Sequence, residues 1–181
     1  MPPAGTGRGR RRPGPRGGIG YAAAVPIPQF ILDLRARLGH DPLHLPGVTA
    51  VVFDDVKRVL LVQRADNLRW TLVTGCLDPG EQPAVGAVRE VAEETAVHVQ
   101  VERLLSVTAL PLMTFPNGDQ TYWMDVAFHC HATGGQARVN DDESVDVGWF
   151  RLDELPDIPE RHRQAIDDAL DQGRPARFLT R

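Results

Sequence analysis

The sequence predicts an α/β fold in which a mixed β-sheet is sandwiched by helices. Its elements read in the order α-β-β-β-α-β-β-β-α, with hairpins as well as crossings between them. The 181 residues are 42% hydrophobic, ample for one core at roughly 100–200 residues per domain. Only two cysteines occur, Cys76 and Cys130. They are far apart and outside any C-x-x-C or Cys/His zinc spacing, so no disulfide framework is expected and the thiols suit a cytosolic compartment.

The first helix spans residues 28–39, with Phe30, Ile31, Leu34 and Leu38 at helical spacing, Pro28 at the first turn and Gly39 as the stop. Strands follow at 48–53 and 59–62, joined by a short loop at 54–58, and a third at 70–73. Residues 83–95 form the central helix, rich in Ala, Val, Arg and Glu without an internal proline. Strands at 97–106 and 122–131 flank Asn117-Gly118, a pair that favours a turn with positive φ at both central residues. A last strand at 145–150 and a closing helix at 159–172 complete the domain, residues 21–181.

Residues 1–20 are nearly all Gly, Pro and Arg, a composition that reads as a disordered tail. The arginine run at 10–12 lacks the apolar stretch an export signal needs, and no segment approaches the roughly 18 apolar residues of a membrane span. Five arginines of this tail account for a quarter of the 20 Lys and Arg, so 15 remain against 24 Asp and Glu in the rest of the chain. An acidic body disfavours nucleic acid as a specific partner, and it is compatible with carboxylates that gather a metal.

The chemistry concentrates in residues 75–97. Glu90, Glu93 and Glu94 stand at i, i+3 and i+4 on the central helix, with β-carbons about 5–6 Å apart. That crowding is self-repulsive, and Glu93 and Glu94 also oppose the helix dipole. A hard divalent cation reverses the sign, and carboxylate oxygens are what Mg²⁺ or Mn²⁺ requires. Arg89 precedes Glu93 by four residues and suits a clamp on that carboxylate. By itself the E-x-x-E-E pattern reads more often as a solvated acidic face.

The spacing as a whole resembles the Nudix signature, G-x5-E-x7-R-E-U-x-E-E-x-G-U with U a bulky aliphatic. Gly75, Glu81, Arg89, Glu90, Val91, Glu93, Glu94 and Val97 match, whereas Ala96 replaces the glycine that ends the helix and Val73-Thr74 replaces Pro-Gly. Flanking segments at 59–70 and 147–155 extend the resemblance over about 48–155. It implies a Nudix-type α/β/α sandwich and a metal-dependent hydrolase of a nucleoside diphosphate linked to another moiety. ADP-ribose is the first substrate expected, with oxidised nucleoside triphosphates, sugar nucleotides and dinucleoside polyphosphates behind it. It further implies Glu90, Glu93 and Glu94 as metal ligands, with the Thr74 and Gly75 backbone beside them.

Glu81 either supports the metal through water or orients Arg89. The resemblance implies a general base drawn either from the motif helix, with Glu93 and Glu94 as candidates, or from a later loop, for which the acidic loop at 140–143 is the source and Glu143 is favoured. Arg64 and Arg69 are candidates for phosphate contact, Trp70 and Phe115 for stacking on a base, and Asp119 for the pocket rim. Trp123 and the 115–119 loop are candidates for a homodimer surface. The rival readings are a regulator that keeps the fold and binds nucleotide without turnover, and an isomerase of isoprenoid diphosphates. The regulator needs a DNA-binding segment, for which the 26 residues after Leu155 are too short.

Overall fold

The structure is a computed structural model that describes residues 27–115 and 117–180. The expected tail at 1–20 lies outside the described residues. Among the described residues three helices, α1 (Gln29–Leu38), α2 (Pro83–Thr95) and α3 (Glu160–Leu170), accompany eight strands. The strands are β1 (Leu43–Phe53), β2 (Val59–Arg64), β3 (Trp70–Thr71), β4 (Val73–Cys76), β5 (Val97–Ala109), β6 (Met113–Thr114), β7 (Gln120–Gly135) and β8 (Ser144–Phe150). They form one mixed sheet: β1 and β7 pair in parallel, and the other pairings are antiparallel.

The period of two along β1 divides the core. Val48, Ala50 and Val52 join Leu60, Val62, Phe128 and Cys130 under Ala87 and Val91 of α2. Val51 and Phe53 join Val59, Leu61 and Ala127 under Ala165, Ile166 and Ala169 of α3. Each face is thus sealed by one helix, which gives the expected α/β/α layering. Of the apolar residues expected to pack α1, only Ile31 is buried, while Leu34 and Leu38 remain exposed. The helix lies at the end of β1 over Leu43 and Leu45.

Several strands extend beyond the sequence expectation. β1 begins five residues early and runs through Pro46 and Gly47. Proline cannot donate to a ladder, but pairing with β4 begins only at Gly47, so Pro46 leaves no ladder bond unmade on that side. β4 and β6 are short strands that sequence periodicity does not resolve. At the β6–β7 turn, positive φ occurs at Gly118 (φ 88°) and not at Asn117. The Gly118 amide donates to Phe115 and the Phe115 amide to Asp119, the pattern of a three-residue loop rather than a two-residue turn.

Helix α2 ends on Ala96, which takes a left-handed conformation (φ 56°, ψ 19°). The Ala96 amide donates to the Ala92 carbonyl at 3.0 Å, and the Val97 amide to the Thr95 hydroxyl at 3.2 Å. The cap geometry therefore survives without glycine, at a steric cost of about 1–2 kcal/mol. Ala96→Gly is expected to raise the unfolding free energy by about 1 kcal/mol. Urea titration checks this, and an unchanged midpoint contradicts it.

Candidate active site

Arg89 is the hub of the α2 face. Its Nε and Nη2 donate to the two oxygens of Glu81 at 2.8 Å each. Nη1 donates to Glu90 and Glu93 at 2.9 Å each, and Nη2 also reaches the Cys76 carbonyl at 3.1 Å. One guanidinium thus ties the Gly75 loop to three motif carboxylates. Glu81 additionally accepts the Asp78 amide at 3.0 Å. Both of its oxygens are therefore engaged, by Arg89 and the Asp78 amide.

Gly75 is required by contact with Glu90. A β-carbon there would stand 1.8 Å from the Glu90 carboxyl carbon, far inside any tolerated approach. Gly86, inside α2, is explained similarly, since a β-carbon would meet Leu77 at 2.3 Å and Glu81 at 2.9 Å. Small residues at these points let the helix and loop close together.

Even with Arg89 on Glu90, the carboxylates at the end of α2 are poorly compensated. Glu94 is only 4% exposed. Burial raises its pKa well above the usual range, and Glu143, Glu90 and Asp141 add repulsion against a smaller opposing effect of Arg64. Burial also pushes Glu90 up to about 7, with Arg89 opposing and Glu93 and Glu143 adding to the rise. Glu143 is raised by burial and by Asp141. The structure therefore brings Glu90, Glu94 and Glu143 into one desolvated field of negative charge.

The Glu143 loop is held on the C-terminus of α2. Asn140 donates through its amide to the carbonyls of Ala92 at 3.2 Å and Glu93 at 3.0 Å. The backbone amides of Arg138 and Asn140 reach the carbonyls of Thr95 and Glu94. Except for Ala92, whose carbonyl also accepts the Ala96 amide, these are the carbonyls a helix end leaves without regular partners. Sequence reasoning treated 140–143 as an acidic source and missed this cap.

The other expected contacts separate into two groups. Arg64 grips Asp66 through Nε (3.0 Å) and Nη2 (2.8 Å), yet its charge also acts on Glu94 and Glu143. Trp70 packs edge-on to Phe150 at 4.8 Å, at the margin of the α3-side core. Arg69 is largely exposed and stands 4.0 Å from Asp157. Asp119 pairs with His40 at 2.8 Å and Arg35 at 3.4 Å. Val48 pairs with both Gly75 and Val126. Phe115 and Asp119 precede Val126 by at least seven residues, on the order of 20 Å along an extended chain. The structure does not bring Trp70, Phe115 or Asp119 to the carboxylates.

A cavity of about 260 Å³ lies on the other sheet face, under α3. Thr49, Thr108, Asp125, Arg161 and His162 line it. Thr49 donates to Asp125 at 2.8 Å. His162, 1% exposed, accepts the Leu72 amide on Nδ1 at 3.2 Å. Its neutral tautomer therefore carries a proton on Nε2, which has no partner among the described residues. Burial, then Arg161 and Arg64, holds its pKa down to about 3. Arg64 is thus felt both by the carboxylates and by the cavity. A polar residue interrupting an apolar strand run, as Thr49 and Asp125 do, is the sequence signal that could have found this cavity.

Among the described residues, no three His, Cys, Asp or Glu side chains are arranged to hold a metal ion. The donor chemistry nonetheless fits a divalent cation, because buried oxygens of Glu90 and Glu94 lack a full counter-charge. No described helix is long and apolar enough to cross a membrane.

The family model of the NUDIX domain matches residues 43–169. A MutT-like protein of Streptomyces ambofaciens is 35% identical over 74% of this chain and 82% of its own. A putative 8-oxo-dGTP diphosphatase of Bacillus subtilis (strain 168) is 30% identical over 69% of this chain and 80% of its own. Among solved structures, an ADP-ribose pyrophosphatase from Streptococcus suis 89-1591 superposes with a TM-score of 0.56. That match covers 75% of this chain and 96% of the other at 24% identity, a likeness of fold. With its signature carboxylates assembled on α2 and the NUDIX model spanning the sheet and all but the first helix, the chain belongs to the Nudix family, as an enzyme of the pyrophosphohydrolase class.

Proposed function

We propose that the chain hydrolyses a phosphoanhydride bond in a nucleoside diphosphate linked to another moiety, with Mg²⁺ or Mn²⁺ held by Glu90, Glu93 and Glu94 and the Thr74–Gly75 backbone. The observation that carries this reading is the desolvated cluster of Glu90, Glu94 and Glu143, in which Arg89 bonds one oxygen of Glu90 and Arg64 offsets Glu94 only in part. When bound, the cation supplies charge neutralisation at the pyrophosphate and a more acidic water.

The residues of the chain do the positioning. Arg89 fixes Glu90 and Glu93, and Glu81 fixes Arg89. Glu143, whose pKa is raised, is suited to take the proton of the attacking water. Arg64, whose charge acts on Glu94, Glu143 and His162, is the group we assign to a phosphate oxygen. The cavity takes the base, with His162 Nε2 donating and Asp125 accepting. Thr49 on the cavity side pairs with Thr74 of the adjoining strand β4.

ADP-ribose is the first candidate. The likeness to a putative 8-oxo-dGTP diphosphatase favours 8-oxo-dGTP as the second. The test is turnover of a panel of nucleoside diphosphate derivatives and oxidised nucleoside triphosphates with Mg²⁺ or Mn²⁺, in ¹⁸O-labelled water. Label is expected on one phosphorus of the cleaved anhydride. Tight nucleotide binding without turnover on the whole panel overturns the reading in favour of a regulator.

A further inference from the structure

The loop that follows β7 does more than carry an acid. Helix ends leave their last carbonyls without regular partners; in α2 the Ala92 carbonyl keeps its bond from the Ala96 amide, and those of Glu93, Glu94 and Thr95 are left. The loop meets these three and Ala92 besides: the Asn140 side chain takes Ala92 and Glu93, the Asn140 amide takes Glu94, and the Arg138 amide takes Thr95. Arg138 also donates to the Asn140 side-chain oxygen at 3.3 Å, which turns the Asn140 NH₂ group toward the helix. Beyond Asn140, the Asp141 side chain accepts the Glu143 amide at 3.0 Å. The Glu143 carbonyl accepts the Ala65 amide at 2.8 Å, one residue past Arg64. Glu143 is therefore suspended between the end of the motif helix and the end of β2.

We propose that Asn140 is a positioning residue for hydrolysis, setting the Glu143 carboxylate in register with the Glu93–Glu94 turn through its side-chain cap on α2. This rests on the hydrolase reading and on Glu143 as proton acceptor. Asparagine suits the task because one planar NH₂ group supplies two donors to adjacent carbonyls. Alanine removes both donors. Aspartate keeps the shape but turns an acceptor onto carbonyl oxygens at the negative end of the helix.

The test is a double-mutant cycle on the full chain with Asn140→Ala, Asn140→Asp and Glu143→Gln, read as kcat and KM on the best substrate of the panel. Asn140→Ala is expected to lower kcat at least about tenfold with KM little changed, since sub-ångström misplacement of a reacting group is costly. Asn140→Asp is expected to lose at least as much. In the Glu143→Gln background, Asn140→Ala is expected to cost nothing further, because the residue it positions is already gone.

Equal losses in both backgrounds assign Asn140 to general helix stability and overturn the proposal, as does wild-type kcat in Asn140→Ala. Wild-type kcat in Glu143→Gln alone overturns the proton-acceptor reading, and the positioning role with it. Amide hydrogen exchange at Ala65 needs no substrate and separates a failure of the hydrolase reading from a failure of the coupling. Asn140→Ala is expected to accelerate that exchange, and an unchanged rate removes the mechanical link.

Discussion

Glu94→Gln is expected to lower metal-dependent turnover by about a thousandfold or more while making the metal-free protein more stable. The two effects have opposite signs because one carboxylate causes both. Its desolvation and the fields of Glu143 and Glu90 raise its pKa in the folded state. The folded protein therefore binds more protons than the unfolded chain above the ordinary carboxylate value of about 4.5. Stability accordingly falls as pH rises from that value through about 7, where Glu90 titrates, and beyond for Glu94. Glutamine removes the largest part of this slope. A divalent cation opposes the same penalty, so Mn²⁺ is expected to raise the melting temperature of wild type and to do so much less in the variant. The rate loss corresponds to about 4 kcal/mol of transition-state stabilisation. Thermal unfolding across pH 5 to 8, with and without Mn²⁺, reads the stability arm. A variant that is destabilised at every pH contradicts the assignment.

Arg89→Ala is expected to be the most damaging single change on α2, costing about 3 kcal/mol of stability and all measurable turnover. It removes five hydrogen bonds and leaves Glu81 and Glu90 partly buried without their cation. Because the guanidinium is a quarter exposed, the cost falls at the low end of the 3–5 kcal/mol that breaking a buried pair entails. Arg89→Lys keeps the charge but not the fork that holds both oxygens of Glu81. It is expected to recover much of the stability and little of the rate, because one ammonium cannot replace both Nη2 on the Cys76 carbonyl and Nη1 on Glu93. Equilibrium urea unfolding beside steady-state kinetics distinguishes the two variants. Recovery of full activity by lysine contradicts the positioning role.

These two residues mark what a linear reading of the chain reaches. Arg89 and the glutamates lie within one helix, where spacing alone sets which side chains share a face. Their grouping was legible because i, i+3 and i+4 are close in any α-helix. The left-handed end at Ala96 was legible as a question, and the structure answers that the backbone keeps the cap while alanine bears the strain. Strand extents were less legible. Pro46 and Gly47 look like strand breakers until pairing shows that the ladder on that side starts one residue later.

Sequence by itself determined the fold class and the helical carboxylate face, since these follow from local periodicity, and named Gly75 only as a match to the family signature. Only the tertiary structure decided which distant groups share that field. It placed Glu143 and Arg64 beside Glu94 and put His162, Thr49 and Asp125 around a cavity on the opposite face of the sheet. It also left Trp70 against Phe150 and Asp119 against Arg35 and His40. The physical reason is that burial, and therefore the charge state of Glu90 and Glu94, is set by strand order and by a loop folded back onto a helix end. No periodicity in the chain encodes those non-local contacts.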